Sequence, residues 1–163
     1  MENTHTYSEG EWIVHSRYGI GKIEGVDVKE ISGEKTNYFR ITTTDSIYWM
    51  PVDQMDSDVL RPLASLEEID QAIIVLQKPP EEMSPNFQIR QNRIQKTQMD
   101  NTPDGMAELI RDLRAYRREK GVLNSTERSA FRTLKRRLIQ EWAIVTGVKT
   151  EKIESKLNTM IDL

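Results

Sequence analysis

Four cations, Arg128, Arg132, Lys135 and Arg136, recur at i, i+4, i+7 and i+8. On a helix that spacing gathers them along one stripe, and with no acid among them they repel one another. Such a stripe is either a solvated face or a surface for a polyanion. The surrounding segment favours the second: residues 84–140 hold 13 Lys or Arg against 6 Asp or Glu, with Arg90, Arg93, Arg114, Arg117 and Arg118 on neighbouring stretches. An excess of that size attracts phosphate-bearing polymers, nucleic acid above all. Phe87 precedes these cations, after Pro85 and Asn86 at an expected helix start. An aromatic there is open to two readings: a core residue stapling the helix to its neighbour, or an apolar group offered to a ligand beside the helix's free amides.

Trp49 is the second aromatic of interest. In Ile47-Tyr48-Trp49-Met50, strand alternation puts Ile47 and Trp49 on one face and Tyr48 and Met50 on the other, so one of the pairs is not core. An outward Trp49 suits a protein–protein contact, since Trp, Tyr and Arg are enriched at binding hot spots; a core Trp49 is the alternative. His15 and Arg17 flank Tyr18-Gly19-Ile20-Gly21, where two glycines permit close approach of backbone to a ligand, but a tight turn beside a surface histidine accounts for them more simply. Catalytic chemistry is poorly supplied. With no cysteine and only His5 and His15, thiolate nucleophiles, disulfides and Cys-ligated zinc are excluded, and histidine metal sites are short of ligands. The sequence has no Gly-rich phosphate loop, no G-x-S-x-G, no H-E-x-x-H and no acidic metal cluster. No enzyme activity, cofactor, metal or small-molecule substrate is expected.

The elements that must carry these residues fall into two kinds. From Trp12 to Val52 the chain alternates apolar and polar residues in short runs rich in β-branched and aromatic types: 11–14, 21–26, 37–41 and 46–50. Turn residues separate them, at Tyr18 to Gly21, Ser32-Gly33-Glu34 and Thr44-Asp45, which predicts a meander curled into a small barrel. After Pro62 the period changes. Ser65 with Glu68 forms a capping box for a helix running to Leu76. Ser84-Pro85 reads as an N-cap and first helical position for a second helix. Thr102-Pro103 starts a third, with Met106, Leu109, Ile110 and Leu113 on its buried face and an end near Gly121. Asn124 with Glu127 opens a long fourth helix with Phe131, Leu134, Leu138, Trp142 and Val145 inward, and Thr150 caps a last one carrying Ile153, Leu157 and Met160.

The fold class expected is therefore α+β, with a β module over residues 1–64 and a compact helical domain over 65–163. The 163 residues suffice for two small cores, and 62–64 and 78–83 are the expected hinges. Charge divides along the same line: residues 1–80 carry 7 basic and 14 acidic side chains, residues 81–163 carry 16 and 12. With no apolar run of membrane-spanning length and no signal-peptide layout at the amino terminus, a cytoplasmic protein without membrane partners is expected.

Tyr7 to Val52 resembles the polymerase-interacting module of CarD and CdnL proteins and of transcription-repair coupling factors. The residues that carry the likeness are Gly10 to His15, Gly19-Ile20-Gly21-Lys22-Ile23, Gly33 to Tyr38 and Met50-Pro51-Val52. In the helical half, Ala107 to Leu113 resembles the family's Ala-Glu-Val-Val-Arg-Asp-Leu, Leu123 to Arg128 its helix-start motif, and Leu138 to Ala143 follows. The coupling factors share only the β module, so the order found here points to the CarD type.

That resemblance implies a Tudor-like or SH3-like barrel binding the β subunit of RNA polymerase, and a helical domain contacting promoter DNA at the upstream edge of the transcription bubble. It implies a regulator that stabilises the open complex without base-specific readout and is associated with the nucleoid through the polymerase. The family's minor-groove tryptophan aligns with Phe87, keeping an apolar wedge without an indole N–H. Arg90, Arg93 and Arg128 are the implied DNA contacts, to which the cation stripe adds Arg132, while Ile89 and Asn92 replace residues that are often basic in relatives. Lys29, Ile31 and Trp49 fall on the implied polymerase surface, Trp49 where relatives carry a basic residue. A different class, a two-module protein–protein adaptor with a merely solvated stripe, is the alternative.

Overall fold

The computed structural model describes residues 5–162. It divides into two compact units, one ending at Leu63 and the other starting at Ala64. The first is an antiparallel five-stranded sheet: β1 (Trp12–His15), β2 (Gly19–Ile31), β3 (Glu34–Thr42), β4 (Ile47–Pro51) and β5 (Leu60–Pro62), in the order β4-β3-β2-β1-β5. The fold is thus α+β, with the sheet unit of Tudor-like type. β5 is too short for alternation to announce it; it is found by pairing with the free edge of β1, Ile13 opposite Pro62 and His15 opposite Leu60.

The sheet is strongly curled. Three strand spacings of about 4.8 Å would hold β1 and β4 roughly 14 Å apart in a flat sheet. Yet the rings of His15 on β1 and Tyr48 on β4 are 5.6 Å apart, with Tyr18 bridging to Tyr48 at 4.7 Å. Ile13, Ile23, Phe39, Ile41, Met55 and Leu60 fill the interior, joined by Tyr48 and Met50. His15 is buried, not the surface residue expected; its Nδ1 accepts from the amides of Arg17 and Tyr18 and closes the turn.

A bulge decides what the long β2 presents. Ile23 pairs with Ile41 but Gly25, not Glu24, pairs with Arg40, so Glu24 is extra. One extra residue reverses the alternation. Asp27, Lys29 and Ile31, which share the parity of buried Ile23, are turned to the outer face. The hairpin closes at Ser32 (φ 55°) and Gly33 (φ 83°), a two-residue turn with both central φ positive, whose twist suits paired strands.

The helical unit contains α1 (Leu66–Gln77), α2 (Phe87–Asp100), α3 (Pro103–Lys120), α4 (Ser125–Thr146) and α5 (Thr150–Asp162). Both expected capping boxes are present, Ser65 with Glu68 and Asn124 with Glu127. α3 packs against α1, α2 and α4, with Leu109, Ile110 and Leu113 fully buried among Ile69, Leu134 and Leu138. Three expectations change. The cap of α2 is Asn86, whose side chain accepts from the Ile89 amide, while Ser84 Oγ accepts from Asn86 and shapes the entry. Thr150 is the first residue of α5, and the Lys149 carbonyl receives the first amides. The stretch 78–83 is pinned: the Glu81 amide donates to Asp112 Oδ1 and Met83 is buried.

Candidate interaction surfaces

On the outer face of β2, β3 and β4, register sets Asp27, Lys29 and Ile31 beside Arg40 and Trp49, the last two directly opposite each other. Trp49 Nε1 donates to Asp27 Oδ2 at 2.9 Å, Arg40 Nη1 donates to Asp27 Oδ1 at 2.7 Å, and Lys29 Nζ lies 3.5 Å from the Trp49 ring centroid. The indole N–H, then the Arg40 guanidinium, hold the Asp27 carboxyl below the usual carboxylate range. Gly25 makes room: a Cβ there would stand 3.0 Å from Arg40 Nη2. Trp49 is 39% exposed and Ile31 58%, so the three residues expected on one surface, Lys29, Ile31 and Trp49, do share a face, and Trp49 is not core. The Asp27 bond was not anticipated, because the bulge hides it from alternation.

In the helical unit, Phe87 is the first residue of α2 and is 56% exposed, which sets aside the core reading. The arginines separate into two populations. Arg90 is largely buried: its Nε donates to Glu127 Oε2 at 3.1 Å, and its Nη1 to the carbonyls of Ser84 and Pro85. Arg93 Nη2 meets the fully buried Asp112 at 2.6 Å, and Arg111 meets the same carboxylate at 2.9 Å. Arg114 and Arg118 are tied to Asp162. These five cations therefore hold helices together: α2 buries only Ile94 and is otherwise fastened through Arg90 and Arg93. The acid at position 112 gave a legible signal, lying three residues after Leu109 on the apolar face, where a carboxylate requires a partner.

The second population is free. Arg117, Arg128, Arg132, Lys135 and Arg136 line a groove of about 690 Å³ between the end of α3, α4 and the start of α5, with Glu154 as its one carboxylate. None of the five forms an ion pair among the described residues. Arg128, Arg132 and Arg136 step along α4 at about 6 Å per four residues. Phe131, expected inward, also borders the groove, together with Ile139. The Arg90–Glu127 pair fixes the start of α2 to the first turn of α4, so Phe87 and Arg128 belong to neighbouring helix ends.

A curled sheet with a fixed aromatic on its outer face, followed by a helical unit with a cation-lined groove, presents two candidate interaction surfaces and no catalytic constellation among the described residues. Comparison with known families assigns the protein. The model described as CarD-like/TRCF RID domain matches residues 7–64, and that described as CarD, C-terminal domain, matches residues 71–158. The chain belongs to the CarD family, and is accordingly a transcription factor of a kind that interacts with RNA polymerase. It is 26% identical over 149 residues to "Putative transcription factor YdeB" of Bacillus subtilis (strain 168), covering 90% of this chain and 96% of that protein. No described helix is long and apolar enough to cross a membrane, and no described group of His, Asp or Glu is disposed to hold a metal ion.

Proposed function

We propose that the outer face around Trp49, with Lys29 and Ile31, docks on the β subunit of RNA polymerase, and that the helical unit holds promoter DNA at the upstream edge of the bubble. Phe87 is the wedge, Arg128 and Arg132 contact phosphates, and Arg90 and Arg93 act by fixing α2. The protein so placed stabilises the open complex without base-specific readout and accompanies the polymerase on the nucleoid.

The observation that carries this reading is Phe87 itself: a large apolar side chain, 56% exposed at a helix start, on a helix pinned to the cation-bearing α4. In water that exposure is unfavourable, but against an opened base step it is buried; phenylalanine is a common minor-groove wedge. Cations on a groove supply sequence-independent, salt-sensitive attraction, and docking on the polymerase raises the local DNA concentration enough for weak contacts to act.

The test is the lifetime of open promoter complexes formed by the cognate polymerase with native protein, with Phe87→Ala, and with none. Native protein is expected to lengthen the lifetime and Phe87→Ala to return it toward the factor-free value while polymerase binding persists. Equal lifetimes with and without native protein, at saturating polymerase binding, overturn the reading.

A further inference from the structure

A second groove lies elsewhere on the helical unit, between the end of α1, the following Lys78-Pro79-Pro80, α3 and α5, with a volume of about 780 Å³. Its apolar lining comes from Leu76, Pro79, Pro80, Ala115, Met160 and Ile161, and no carboxylate among the described residues lines it. Its border is cationic: Lys78, Arg118, Lys152 and Lys156 come from three different elements. Arg118 is drawn to Asp162, but Lys78, Lys152 and Lys156 make no ion pair among the described residues. Lys152 and Lys156 are also one turn apart on α5, a like-charge spacing that disfavours the helix unless an anion comes between them. None of the side chains proposed above to touch DNA belongs to this groove.

We propose that this groove takes an acidic amphipathic peptide segment of a partner protein, its apolar side chains on the apolar lining and its carboxylates against Lys78, Lys152 and Lys156. Volume and apolar lining are those of a formed ligand site. The spread of cations over three elements selects among anions. A fatty-acid-like amphiphile has one head group and would leave most of the border unmatched. A nucleic-acid backbone would match the cations but gains nothing from Leu76 and Met160. A segment with apolar residues on one side and acids along its edges satisfies both, as in recognition of an amphipathic helix by a groove.

The full-length chain, labelled for NMR, would be titrated with a short synthetic helix of leucines at i, i+3, i+4 and i+7 flanked by glutamates. Parallel titrations would use the same helix with lysines for glutamates, decanoate, and duplex DNA. The acidic helix is expected to shift the signals of Ala115, Thr159 and Met160. Lys152→Glu with Lys156→Glu should weaken it by about tenfold or more, since like charges then face each other. Lys78→Glu, outside every helix, should weaken it in the same direction, which guards against misfolding of the double variant. Equal binding of the lysine helix, shifts of these residues by decanoate or DNA but not by the acidic helix, or no shift at all would each overturn the proposal.

Discussion

Trp49 and Phe87 are both exposed aromatics, yet one is fully prepared and the other bare. Trp49 is fixed by its N–H bond to Asp27, capped by Lys29 and set opposite Arg40, so its ring has little freedom left to lose on docking. Phe87 has no polar handle, and the Arg90 guanidinium 5.9 Å from its ring is already occupied by Glu127 and two carbonyls. The lesson is one of partners. A surface that presents a fixed ring with neutralised charges around it suits a folded protein, where hot spots are rigid and desolvated. A bare ring that nothing fixes suits an object that must first open, such as a base step.

Removing the supports of each ring tests that contrast. The largest effect is expected at Asp112→Ala, which leaves Arg93 and Arg111 without their carboxylate and the Glu81 amide without its acceptor. Breaking such a buried arrangement costs about 3–5 kcal/mol. Denaturant unfolding followed by helical signal should show it, while the indole N–H NMR signal of Trp49 in the sheet unit keeps its native position. Next comes Trp49→Ala, expected to weaken polymerase binding by about 2 kcal/mol, roughly 30-fold, as loss of an aromatic anchor does. A change under twofold in a direct binding titration would place the anchor elsewhere on that face. The smallest effect belongs to Arg132→Ala. DNA affinity should fall similarly across sequences, with the slope of log affinity against log salt reduced by about one. A loss confined to one promoter sequence would mean base readout.

The sequence disclosed what local chemistry controls. Capping pairs marked the starts of α1 and α4, Thr102-Pro103 that of α3, and apolar spacing picked out Leu109, Leu113, Leu134 and Leu138. It did not separate paired from unpaired arginines. Arg90 and Arg128 look alike along the chain, and only packing brings Glu127 to one and leaves the other in the groove. The exposure of Phe87 was undecidable for a related reason: the Asn86 cap, not Ser84, makes Phe87 the first residue of the helix, where one side has no preceding turn to cover it. His15 was misjudged because its burial depends on Tyr48, three strands away, which only the curl of the sheet brings near.

The bulge at Glu24 has a consequence for how such a surface evolves. Because the alternation changes phase there, positions 27, 29 and 31 of β2 are released from the packing that governs Ile23 and the strand before it. Substitutions along this outer stretch can accumulate without disturbing the core, and whatever that face recognises can be retuned by changing those side chains alone. A single inserted residue thus uncouples selection for folding from selection for recognition within one continuous strand.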